Sequence, residues 1–166
     1  MRWRWQLALV LFFLFIASGA GGAPCTTANA DCTEWIEVAG EPSRVLVYRT
    51  YPLNIKNDAI SRALIMVHGQ GRDANNYFRH AFGAAFFARS LENTIIIAPR
   101  FASNHGANCR DTLSDKELNW DCAQSPEGWR VGGHAVDNGK ISSFDVIDEI
   151  VAKLARKDAF PNLKVI

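Results

Sequence analysis

The apolar run Ala63-Leu-Ile-Met-Val67 stops at His68-Gly69 and gives way at once to Gln70-Gly71-Arg72-Asp73. Five uninterrupted apolar residues bounded by glycine and polar side chains read as a central strand buried on both faces. A glycine on either side of Gln70 lets the chain leave that strand by a sharp, backbone-exposing loop. A second run, Thr94-Ile-Ile-Ile-Ala98, repeats the pattern before Pro99 ends it. Between the two, Phe78, Ala81, Phe82, Ala85, Phe86 and Arg89 recur at helical spacing, which predicts an amphipathic helix from about Asn76 to Leu91. Strand, helix, strand is a parallel crossover unit and commits this region to an α/β arrangement.

Upstream, Trp35-Ile-Glu-Val38 and Arg44-Val-Leu-Val-Tyr-Arg49 are β-rich, with Gly40-Glu41-Pro42 as turn chemistry between them, and predict an antiparallel pair near a sheet edge. Downstream, Ser142-x-x-Asp145 forms a capping box, and Ile147, Ile150, Val151 and Leu154 follow as one helical stripe. Pro161 closes that helix, and Leu163-Lys-Val-Ile166 begins a further buried strand. The connection from Pro99 to Ile141 has no sustained period but carries Trp120, Trp129 and two cysteines. A loop of that length in a compact domain is usually functional or disordered, and its tryptophans favour an ordered cover.

The N-terminus differs in composition from the rest. Arg2 and Arg4 precede the uncharged run Leu7 to Ala17, followed by the small residues Ser18 to Ala23. This is the layout of a secretory signal peptide, residues 1–20, with cleavage extending at most to about residue 23; the run is too short to span a membrane. The remaining chain, 24–166, reads as part of one domain, and 48% hydrophobic with 21% charged residues places it among globular proteins. Loss of Arg2 and Arg4 turns the formal net charge of +1 into −1, so nothing attracts nucleic acid. Export, whether secreted or periplasmic, makes Cys25, Cys32, Cys109 and Cys122 candidates for two disulfides. Four cysteines allow three pairings; proximity in sequence favours Cys25–Cys32 and Cys109–Cys122. Neither pair has the tight spacing of a zinc site, and no histidine lies three to five residues from another, so no metal is expected.

The order antiparallel pair, strand with His-Gly, helix, strand, long loop, capped helix, strand resembles the first half of an α/β-hydrolase, over about residues 33 to 166. Within that family it is similar to secreted esterase-like serine hydrolases, through His68-Gly-Gln-Gly71, Arg72-Asp-Ala-Asn-Asn-Tyr77, Glu127-Gly-Trp129 and Ile141-Ser-Ser-Phe-Asp145. The resemblance implies an α/β-hydrolase fold cut after the start of its fifth strand, with a mostly parallel sheet and an antiparallel N-terminal edge. It implies that the Gln70 backbone N–H serves the oxyanion hole, shaped by His68, Gly69 and Gly71. It also implies a small ester or acyl substrate, no cofactor and no stable membrane anchor. His68 is then a shaping residue, because the catalytic base comes last in that family. Asp73 either braces the loop or is simply exposed, while His80, His105 and His134 are surface or loop residues.

The expected order is Ser, Asp or Glu, His, yet the chain has no Gly-x-Ser-x-Gly. Ser142 and Ser143 are explained by helix capping, and Ser103, Ser114 and Ser125 lie in the long loop. The reading is therefore an N-terminal fragment of a secreted serine hydrolase, inactive by itself, with its triad beyond Ile166. An alternative is a non-catalytic exported, disulfide-bonded binding protein that uses the Trp120/Trp129 loop as its recognition surface. A metal-dependent hydrolase built on His68 and Asp73 lacks a convincing third ligand.

Overall fold

The computed structural model describes residues 22–38, 40, 42–122 and 128–166. The signal segment 1–20, Glu41 of the predicted turn, Ser125 and Glu127 lie outside the described residues. Four strands and two helices follow in the order β1 (Thr33–Glu37), β2 (Arg44–Arg49), β3 (Arg62–Ile65), α1 (Ala74–Phe87), β4 (Thr94–Pro99) and α2 (Ser143–Leu154), with short 3-10 turns at Ala30–Cys32, Leu91–Asn93 and Trp129–Val131.

The strands form one sheet in the order β1-β2-β4-β3. All six residues of β4 are buried, and their side chains divide by the strand period of two. Ile95 and Ile97 join the core that includes α2, whereas Ile96 and Ala98 join the core beneath α1. Each isoleucine so buried contributes about 1.5–3 kcal/mol, which makes β4 the spine of the molecule.

The mostly parallel sheet, and with it the truncated α/β-hydrolase fold, does not hold. β1 pairs with β2 antiparallel and β2 with β4 antiparallel, leaving β3 with β4 as the single parallel pair of strands among the described residues. The physical reason lies in the connections. The α1 segment returns the chain from β3 to the start of β4 in the same direction, whereas β2 runs against both of its neighbours, β1 and β4. Nor is Ala63 to Val67 buried on both faces: β3 has an exposed and two half-buried positions, and Val67 is 39% exposed. Beyond β3 the sheet gains one parallel bridge, Arg62 with Val165, fixed by Ala63 N–H to Val165 O at 2.8 Å. Leu163 is buried, but Val165 and Ile166 are exposed and form no strand.

α1 starts two residues earlier than periodicity predicts and ends four earlier. Arg89 adopts φ +52, and Ser90 N–H bonds Ala85 O while Arg89 N–H bonds Phe86 O. That is a Schellman stop with arginine in the position glycine usually holds. α2 carries the predicted capping box: Ser142 Oγ accepts from Asp145 N–H at 3.2 Å, and Asp145 Oδ2 accepts from Ser142 N–H at 2.7 Å. The Ser142 hydroxyl and then its N–H hold the Asp145 carboxyl below the usual carboxylate range. Both disulfides favoured by proximity, Cys25–Cys32 and Cys109–Cys122, are formed.

Candidate functional site

The loops after β3 and β4 leave the same end of the sheet, the carboxyl end of the two parallel strands, where open sheets bind ligands. Met66 N–H still bonds Ile97 O at 2.8 Å. Two residues later the ladder has ended, and a side chain replaces it. Phe101 N–H, on the continuation of β4, donates to His68 Nε2 at 2.9 Å. A backbone N–H can only donate, so Nε2 is the acceptor and the ring proton sits on Nδ1. Nδ1–H then donates to Gly69 O at 2.9 Å.

His68 is therefore committed at both nitrogens and neutral. It is 3% exposed, edge-on to Trp129 (4.7 Å between centroids) and Phe101 (5.8 Å), which stack on each other at 5.0 Å. Burial is the main cause pushing its pKa below 6.5, with Arg72 adding to it; the Gly69 carbonyl, Asp73 and Asp111 pull the other way. A ring with both nitrogens occupied by main chain has no position from which to take a proton from a nucleophile.

The next residues form a turn closed by Arg72 N–H to Gly69 O at 3.1 Å. Gly69 O thus accepts from two donors, which fixes the plane of the Gly69–Gln70 peptide. None of the described peptide bonds is cis, so the Gln70 N–H is aimed opposite to that carbonyl. Glycine at 69 leaves room for a side chain of α1: a Cβ there would lie 2.8 Å from the Tyr77 hydroxyl, so that ring would have to shift. Gly71 is less crowded, its nearest atom being Asp73 Oδ1 at 3.3 Å from a Cβ.

Arg72 completes the turn at φ +55. Its Nε donates to Asp111 Oδ2 at 2.8 Å and its Nη1 to Gln70 O at 3.2 Å. No local pattern in the sequence marks Asp111, and Arg72 and Tyr77 stand out there only as members of the Arg72–Tyr77 segment. Asp73 stands at the N-cap position of α1 without a capping bond; its carboxylate accepts from Asn76 Nδ2 instead.

A cleft of about 610 Å³ lies between Gln70, Gly71 and Arg72 on one side and Gly106, Ala107, Asn108 and the Cys109–Cys122 disulfide on the other. His105 and His134 are exposed and line a separate cleft with Asp121; His80 is exposed on α1. Trp120 and Trp129 are buried, so the recognition surface imagined for them is instead core around His68. Among the described residues no group of three His, Cys, Asp or Glu could hold a metal ion. Among the described serines, Ser103 Oγ bonds the His105 backbone, and Ser142 Oγ is committed to Asp145.

Comparison with protein-family models, with curated proteins and with solved structures gave no match.

Proposed function

We propose that the His68–Arg72 turn is the oxyanion-binding element of an exported, esterase-like serine hydrolase, and that this chain is the portion of the enzyme carrying it. The observation that supports this reading is the doubly anchored Gly69 carbonyl, which aims the Gln70 N–H in one direction at the carboxyl end of β3 and β4. An oxyanion donor must be oriented before the charge develops, since reorientation during the reaction would consume the advantage. Gln70 and Gly71 form one wall of the adjoining cleft, where an acyl group can lie. In the reaction a serine supplied outside the described residues attacks the acyl carbon. A later histidine takes its proton, and the Gln70 N–H stabilises the tetrahedral oxyanion. Two disulfides are compatible with export, and among the described residues no helix is long and apolar enough to cross a membrane.

The test is to read the coding DNA in frame beyond codon 166 and assay the extended protein on a 4-nitrophenyl ester. The expected finding is a strand entering Gly-x-Ser-x-Gly, with an acid and a histidine later, and turnover that falls by roughly 10²–10³ in Gln70→Pro, which lacks the N–H. A stop codon without that segment, turnover indifferent to Gln70→Pro, or equal turnover by residues 1–166 alone would each overturn the reading.

A further inference from the structure

We infer that Asp111 is a positioning residue for the His68–Arg72 turn, delivered to it by the Cys109–Cys122 disulfide, so that the turn keeps its geometry only in the oxidised protein. Its catalytic meaning rests on the oxyanion reading above; the positioning itself does not.

Asp111 lies 39 positions from Arg72, in a segment without secondary structure. One carboxylate oxygen, Oδ2, accepts both the Arg72 Nε–H and the Ser103 N–H at 2.8 Å. The Asp111 N–H returns to Ser103 O at 2.9 Å. Asp111 therefore ties the β4 continuation, through Ser103, to the turn after β3, through Arg72. Arg72 passes the restraint on: its Nη1 holds Gln70 O at 3.2 Å, while its own N–H holds Gly69 O. The two carbonyls flanking the Gln70 residue are thus both fixed by Arg72, and Arg72 is fixed by Asp111.

Ser103 holds Asp111 at both its carboxylate and its N–H, and Cys109, two residues before it, adds a covalent anchor to the same segment. Cys109 is buried and bonded to Cys122, and the bridge forms part of the wall of the same cleft as Gln70 and Gly71. Cys122 is the more exposed partner, so a dithiol reductant attacks there. Its first thiolate forms a mixed disulfide with Cys122 and releases Cys109, which takes a proton. Its second thiolate displaces Cys122, leaving two protein thiols and the reductant as its own cyclic disulfide, the source of both electrons. The 109–122 segment then loses its covalent closure beside the turn.

The experiment is amide hydrogen exchange by NMR on the whole chain. It compares the Arg72 N–H, bonded to Gly69 O, with the Met66 N–H, bonded to Ile97 O in the sheet. Asp111→Asn, which keeps the side-chain shape and both disulfides, and the paired change Cys109→Ser with Cys122→Ser are each expected to speed Arg72 exchange roughly tenfold or more. Met66 should be unchanged, and Cys25→Ser with Cys32→Ser should leave both amides alone. An Arg72 rate unmoved by Asp111→Asn, or one rising only in step with Met66, would overturn the proposal. Should the paired cysteine change prevent folding, Asp111→Asn decides alone. Exchange that responds in a protein whose extended form fails to turn over ester would reject the acyl reading and leave the positioning intact.

Discussion

Replacing His68 by phenylalanine separates its hydrogen bonds from its packing. A phenyl ring retains the contacts with Phe101 and Trp129 but offers neither an acceptor to the Phe101 N–H nor a donor to Gly69 O. The Phe101 N–H belongs to a residue 1% exposed, and leaving such a donor without a partner costs about 1–3 kcal/mol. Gly69 O keeps the Arg72 N–H, so its loss is nearer an ordinary bond, about 0.5–1.5 kcal/mol. The expected destabilisation is about 2–4 kcal/mol, read in urea as a fall in the midpoint of about 1–2 M.

The pH dependence of that difference gives the stronger check. Burial depresses the folded-state pKa of His68 below 6.5, so as pH falls the unfolded chain binds this proton first. The His68 contribution is therefore fully present above about 6.5 and is lost as pH drops toward the depressed folded value. The slope approaches about 1.4 kcal/mol per pH unit within that window and levels off below it. His68→Phe lacks this proton in both states, so the gap between the two proteins should narrow from neutral pH toward pH 5. A gap independent of pH, or a variant within about 0.5 kcal/mol of the parent at pH 7, would refute the assignment of His68 as a neutral brace with both nitrogens engaged.

Gly132 sits at φ +88 and ends the short turn that holds Trp129 against His68; a Cβ there would overlap the Phe144 ring. Gly132→Ala should cost about 1–3 kcal/mol in thermal or urea unfolding and shift the His68 ring resonances, whereas an unchanged spectrum would deny the link between that turn and the site. Ser142→Ala should remove about 1 kcal/mol through loss of the capping box. Because Asp145 is held below its usual range, that contribution is present at neutral pH and lost as pH falls through the depressed value. The penalty should therefore fade in acid, and a penalty constant with pH would argue against the box.

What was legible in the sequence is what neighbouring residues decide. The capping box of α2 needs only Ser142 and Asp145, and the disulfides join cysteines close in the chain. The sharp turn at His68-Gly69 is announced by its glycines. Where the reading failed, the deciding partner was remote. Ala63–Val67 and Thr94–Ala98 are alike in composition, yet β4 is flanked on both sides by strands while β3 meets only the Val165 bridge on its outer edge. Strand direction failed for the same reason, since nothing within Arg44–Arg49 says that it will lie against β4. Asp111 had no signal at all: it is one carboxylate in an aperiodic loop, made important only by what Arg72 brings within 2.8 Å.

A connection from a strand to a helix requires no more than a turn and a helix start, and this one is restrained from three directions. The core side is held by a neutral histidine bonded to two backbone groups, the helix side by Tyr77 pressed on Gly69, and the loop side by Arg72 on Asp111. Arg72 makes the imbalance plain. Its left-handed conformation costs a side-chain-bearing residue about 1–2 kcal/mol, which glycine would avoid. The ion pair that glycine would forfeit is partly exposed, 13% and 25% at the two side chains, so screening reduces its contribution below the roughly 1.5–3 kcal/mol of a buried charged hydrogen bond. Strain and pairing therefore nearly cancel, and net stability is a poor explanation for an arginine here. What the arginine provides that glycine cannot is a fixed direction for the Gln70 carbonyl, and local strain accepted in exchange for fixed backbone direction is the pattern of sites that bind or react.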